Sequence, residues 1–302
     1  MRLYIAGLYT SSYSIFDNTY KRFTPGMKAL MGEVQHKLES YHYIAKGRYA
    51  EKMRKAGDRV FLDSGAFSSF SLGVNVNIEA YAEFVKGNQD IIEMASVLDA
   101  IGDPEGTYHN QNTMEKLGAE VLPCFHYGEP WSLCEYYLNN YEYITIGGMV
   151  PIANVKLEPW LDELWGVVLT DKDGYSRAKV HGFGLTSKKL MAKYPWYSCD
   201  SSSWIQYSAN GVIAFPEFDY GIHISSKKQT RQDFGQHFNT FPPKARERVI
   251  ELLTYYGLKL EEVTDGSDGR SAINAFTYDR LGRMLGDDHW RKPFVATQPL
   301  LF

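Results

Sequence analysis

Short runs of strand-forming residues, each followed by a helix-length stretch, recur along this chain and narrow the folds open to it. RLYIAG (2–7), RVFLDSG (59–65), MASVLDAIGD (94–103), AEVLPCFHYG (119–128), YEYITIGGM (141–149), AKVHGFGL (178–185), WYSCDSSS (196–203) and GVIAFPE (211–217) make a set of eight. Between them, IEAYAEFVKGN, NTMEKLG, EPWSLCEYYLNN and TSKKLMAKYP carry helical spacing or cap-like ends. Strands alternating with helices predict a parallel sheet, and eight such units predict an α/β fold of the TIM-type (β/α)8 barrel class. A chain of 302 residues suits one such barrel with additions.

Two regions depart from the repeat. The stretch from Tyr9 to Lys55 is mostly helical in pattern and longer than a normal barrel connection, so it is expected to help cover the pocket mouth. Beyond Glu217, the segment 225–249 is locally basic, and RERVIELLTYYGLKLEEV and SAINAFTYDRLGRML read as two amphipathic helices. The expected organisation is a barrel over 1–224 and a helical, locally basic C-terminal appendage over 225–302, packed on the barrel.

Charge and cysteine usage exclude several classes. The net charge of −4 does not advertise a polyanion partner, although a local basic patch is enough to hold one. Three cysteines, Cys124, Cys134 and Cys199, have no CxxC spacing, so neither a disulfide framework nor a cysteine-rich zinc site is expected. No pair of His and Cys residues has recognised ligand spacing, and no metal is expected. The first residues, MRLYIAGLYTSSYSIFD, hold an apolar run too short for a secretory leader, and no later run is long enough to span a membrane. The simplest expectation is a cytoplasmic protein without a membrane partner.

In a barrel, the carboxyl ends of the strands converge on one pocket. Here those ends supply Asp63, Asp99 or Asp103, His126 with Glu129, Gly147-Gly148, His181 with Gly184, and Asp200. Singly, each has an ordinary explanation: an aspartate caps a helix, a histidine fills a core. Several carboxylates facing one cavity are costly unless they act on something, because like charges raise one another's pKa values. Such a set suits displacement at a sugar carbon, with one Asp as nucleophile and another moving protons. The glycine pair suits close approach of a flat ligand, and aromatics such as Phe67, Phe70 and Tyr127 suit sandwiching it.

These segments resemble the tRNA-guanine transglycosylase superfamily. VFLDSGAFSSFSL is similar to its DSGG(F/Y)Q segment, YITIGGMVP to its Gly-Gly-Leu strand, and KVHGFGLTSKKLMAKYPWYSCDSSSW to the stretch ending on its catalytic aspartate. Order and spacing agree over roughly 60–204, and the compact form most resembles the phage-type DpdA enzymes that place 7-deazaguanine bases in DNA. The resemblance implies Asp200 as nucleophile and Asp63 as general acid/base. It further implies a base-binding set of Asp99 or Asp103, Ser64, Gly65, Phe67, His126, Gly147, Gly148, Met149 and His181. Ala66 and Ser68 depart from the family pattern, His126-Tyr127-Gly128 takes the place of a Gln-Gly pair, and the family's CxCxxC…H zinc motif is missing.

Loss of that zinc motif points away from tRNA and toward another nucleic acid. The resemblance therefore implies exchange of guanine in DNA for a free 7-deazaguanine such as preQ0, through a covalent aspartyl-glycosyl intermediate and with no cofactor. If the chain is phage-encoded, its compartment is the host cytoplasm. Lys227, Lys228, Arg231, Lys244, Arg246 and Arg248 are the candidate phosphate contacts, and base flipping is expected because a stacked base cannot reach a barrel pocket. The alternatives are a zinc-free tRNA enzyme and a non-catalytic barrel that binds nucleobase or nucleic acid.

Overall fold

The computed structural model describes residues 1–12, 22–218, 220–227 and 235–295. Eight strands form one parallel, curled sheet: β1 (Arg2–Ala6), β2 (Lys37–Ser40), β3 (Val60–Asp63), β4 (Ile92–Ala95), β5 (Cys124–His126), β6 (Tyr143–Gly147), β7 (Lys179–Gly182) and β8 (Ser198–Ser201). Their order is β4-β3-β2-β1-β8-β7-β6-β5, and each neighbouring pair is parallel. All eight carboxyl ends therefore collect along one rim. Between the sheet's two end strands, Leu122, just before β5, donates its N–H to the carbonyl of Ala95 in β4 and accepts the Val97 N–H.

Seven of the eight expected strands lie in this sheet, and one does not. Residues 211–217 contribute only β9 (Val212–Ile213), which pairs antiparallel with β10 (Ile222–His223) in a separate two-stranded sheet. The strand that fills the set is β2, KLES, inside the stretch read as helical. Its charged side chains are buried and compensated: Lys37 Nζ lies 2.9 Å from Asp58, and Glu39 accepts the Tyr9 N–H and the Thr10 hydroxyl. A buried strand written with Lys and Glu lacks the apolar signature by which strands are found.

The helices run along the chain in order. α1 (Leu8–Ser12), α2 (Pro25–Gly32), α3 (Tyr41–Ile44) and α4 (Tyr49–Ala56) precede β3. α5 (Ala66–Leu72), α6 (Ile78–Gly87), α7 (Pro104–Lys116), α8 (Trp131–Asn140), α9 (Asn154–Glu163) and α10 (Lys188–Lys193) fall between β3 and β8. α11 (Ser203–Ala209), α12 (Pro243–Tyr255), α13 (Leu260–Thr264) and α14 (Ser267–Leu285) follow. None of the helices among the described residues is long and apolar enough to cross a membrane.

The C-terminal helices share the core of the sheet. One cluster of buried side chains joins Leu3 and Ile5 of β1 to Leu252 and Leu253 of α12 and to Ile273 and Phe276 of α14. α14 lies against β1 so closely that a Cβ on Gly282 would stand 2.6 Å from the Leu3 Cβ. Asn274, fully buried on the same helix, donates to the Val212 and Trp204 carbonyls and accepts the Ala214 N–H. Glycine at the contact and a satisfied amide beside it fix α14 on the sheet.

Candidate active site

A cavity of about 610 Å³ opens at the carboxyl ends of the strands. Asp63, Asp99, His126, Gly147, Gly148 and Asp200 all line it, from β3, the segment after β4, β5, β6 and β8. Phe67 of α5 and Tyr43 of α3 stand at its edge with 62% and 48% of their surface exposed, so both rings can receive a flat ligand. Thr10, Ser11 and Ser40 also line it, as described residues of the stretch expected to cover the mouth.

Asp63 is held by the turn that follows it. Gly65 N–H donates to Asp63 Oδ2 at 3.0 Å, and the chain turns through Gly65 at φ 77°. A Cβ there would stand 2.5 Å from both His42 Cβ and Ser40 Oγ, so the turn requires glycine for space as well as for conformation. Burial pushes the Asp63 carboxyl up to about 7, and the charges of Asp99 and Asp200 add to the rise. Near neutral pH this carboxyl is therefore poised to give or take a proton.

Asp200 is held from behind. Gly184 N–H donates to its Oδ1 at 2.7 Å, and His181 Nε2 lies 3.4 Å from the same oxygen. His181 is fully buried among Tyr4, Phe61 and Phe183; its Nδ1 is 2.7 Å from Ser198 Oγ, which in turn meets the Tyr143 hydroxyl at 2.6 Å. Burial lowers the His181 pKa against the pull of Asp200, so the ring is neutral at pH 7. Tyr143, Ser198 and His181 thus form a hydrogen-bonded chain, and the far ring nitrogen of His181 faces Asp200 at 3.4 Å without making a hydrogen bond.

A third group lies toward β5. His126 Nδ1 is 3.0 Å from Glu129 Oε1, and the His126 backbone N–H donates to Glu129 Oε2 at 2.9 Å. The opposite ring nitrogen, Nε2, is 3.5 Å from Asp99 Oδ1 and 3.5 Å from Cys124 Sγ. Burial opposes a charge on this ring, but Cys124, Asp99 and Glu129 outweigh it and raise the His126 pKa. Burial also pushes the Cys124 thiol up to about 11. Asp99 Oδ1 is buried with no hydrogen-bond partner.

No protein-family model and no curated protein matches this chain. The site's chemistry is carried by its own geometry.

The remaining expected residues fall outside the cavity lining. Asp103 is exposed and caps α7, accepting the Gly106 N–H at 3.0 Å, so of the two strand-end aspartates it is Asp99 that faces the cavity. Ser64 is buried and ties its N–H to Ser96 Oγ, while Met149 is buried in the core beneath the glycine pair. His181 supports Asp200 and does not meet the cavity. Lys244, Arg246 and Arg248 are exposed along the first half of α12, with Arg248 paired to Glu251, and Lys227 is exposed nearer β10. Lys228 and Arg231 lie outside the described residues.

Residue patterns did not disclose Ser40, Tyr43, Phe183, Ser202 and Ile205 as lining groups. Ser40 and Tyr43 arrive with β2, so missing that strand hid both. The spacing Cys124-x-His126 was the available signal for the β5 cluster, since residues two apart in a strand share a face.

Proposed function

We propose that this chain is a base-exchanging transglycosylase on a closed (β/α)8 barrel, acting on guanine in DNA and inserting a 7-deazaguanine. The hydrogen bonds that join Val97, Leu122 and Ala95 support closure of the sheet between β4 and β5. The observation that carries the activity is the convergence of Asp63, Asp99 and Asp200 on one cavity, with the Asp63 carboxyl raised to about 7 beside its neighbours. A two-step glycosyl transfer needs one carboxyl to attack and another to move protons.

Asp200 attacks C1′ of the target nucleoside, and the C1′–N bond breaks as Asp63 assists protonation of the departing guanine. The incoming base loses a proton to Asp63 and attacks C1′ of the aspartyl ester, releasing the Asp200 carboxylate. Two inversions give net retention, and the energy of the glycosidic bond is conserved. The Gly147-Gly148 backbone, on the cavity wall it shares with Asp99 and His126, suits contact with the base, and Phe67 and Tyr43 supply faces for stacking. Lys244, Arg246 and Arg248, exposed on one helix, suit backbone phosphates of a DNA whose target base has been flipped out.

Incorporation of preQ0 into duplex DNA, single-stranded DNA and tRNA, followed side by side by mass spectrometry, tests this assignment. Incorporation into DNA supports it. Robust exchange confined to tRNA would transfer the assignment to a zinc-free tRNA enzyme, and binding without exchange would leave a nucleobase-binding barrel.

A further inference from the structure

Asp99, Cys124 and His126 bring three different ligand atoms to one side of the cavity, all within 4.8 Å of one another. Two distances are set around His126 Nε2: 3.5 Å to Asp99 Oδ1, long for a hydrogen bond between nitrogen and oxygen, and 3.5 Å to Cys124 Sγ, ordinary for a nitrogen–sulfur hydrogen bond. They match the spacing of ligands around a tetrahedral zinc, whose bonds of about 2.0–2.3 Å place neighbouring donor atoms roughly 3.3–3.6 Å apart. We infer that these three residues form a binding site for a divalent transition-metal ion, with zinc as the best chemical fit.

Three independent features support a built site. Asp99 Oδ1 is buried and makes no hydrogen bond, the His126 ring standing 3.5 Å away, so a cation held between the two would satisfy both. Glu129 meets the far nitrogen of His126 at 3.0 Å and also accepts its backbone N–H, the carboxylate–histidine arrangement that orients metal-binding imidazoles. Gly147 makes room for both ligands: a Cβ there would stand 3.0 Å from Cys124 Sγ and 2.8 Å from His126 Cδ2. Binding displaces the thiol proton of Cys124 and any Nε2 proton of His126 to solvent. Three protein ligands leave a fourth position, and because Asp99 and His126 line the cavity it opens toward the space where a ligand oxygen would sit.

The site stands on ligand geometry and does not depend on the exchange reaction. Its test uses the full chain, stripped with chelator, supplied with zinc or cobalt and desalted. The expected result is about one tightly held zinc per chain, as for three protein ligands with an open fourth position. Cobalt substitution is expected to give a thiolate charge-transfer band that disappears in Cys124→Ser. Glu129→Gln, which touches no metal, is expected to keep the band and weaken affinity about 10–100-fold. A folded wild-type chain that retains neither zinc nor a cobalt band overturns the inference, as does a band undiminished in Cys124→Ser. Exchange activity assayed on the same samples reports separately on the transglycosylase assignment.

Discussion

Asp63 and Asp200 stand on strands separated in the sheet by β2 and β1, yet both line one cavity, and the charge of Asp200 helps raise the Asp63 carboxyl. The curl of the sheet makes neighbours of residues 137 positions apart by their numbers, 200 less 63. Asp200 is fixed by the Gly184 N–H and backed by neutral His181, whereas Asp63 carries the variable proton. Environment alone thus gives Asp63 a movable proton beside a carboxyl held in position.

The raised carboxyl makes stability depend on pH. Asp63 rises from an unfolded value of about 4 to about 7, so the folded state binds more protons than the unfolded state across that window. Stability is therefore expected to fall as pH rises from about 4 to about 7, by up to a few kcal/mol, and then to level off for this group. Asp63→Asn removes the effect. Thermal unfolding should show the variant gaining relative to wild type between pH 5 and pH 8, with equal differences at both pH values counting against the raised carboxyl.

The turn after Asp63 sets a second expectation. Gly65→Ala adds a methyl where His42 and Ser40 already stand 2.5 Å from the ideal Cβ, at a backbone φ of 77°. Denaturant unfolding is expected to show a loss of about 2–4 kcal/mol, the range for left-handed strain combined with overpacking. Exchange should fall further than stability, because the Gly65 N–H also holds Asp63.

Much of this arrangement is legible in the sequence, for physical reasons that individual elements make plain. β3 and β6 end buried runs on Asp63 and Gly147, and β8 carries Asp200 one residue before its end, so that pattern locates all three. β2 is hidden because its inward polar groups are paired through tertiary contacts that local pattern does not report: Lys37 with Asp58, and Glu39 with the Tyr9 N–H. Residues 211–217 have strand-like composition but meet Ile222 and His223 first, so local pairing captures Val212 and Ile213. His181 is a strand-end histidine as expected, but its ring is enclosed by Tyr4, Phe61 and Phe183 and acts on Asp200. Asp103 follows Gly102, which turns the chain at φ 79°, and it is spent on the α7 cap.

The exposed cations of α12 give a prediction about nucleic acid. Replacing Lys244, Arg246 and Arg248 together by Ala should weaken duplex DNA binding and lower the magnitude of the salt slope by about one per lost phosphate contact. Fluorescence anisotropy across a salt series measures both quantities. An unchanged slope would show that these side chains form a solvated helix face, consistent with the Arg248–Glu251 pair.

The most direct measurement follows the covalent intermediate. Guanine-containing DNA labelled on its backbone is incubated with the full chain in the presence of free base, quenched by denaturation, and any protein–DNA adduct is mapped by peptide mass spectrometry. The account predicts an adduct on Asp200 that is absent in Asp200→Asn, together with loss of preQ0 incorporation in that variant. Undiminished incorporation in Asp200→Asn, or an adduct on another residue, would contradict it.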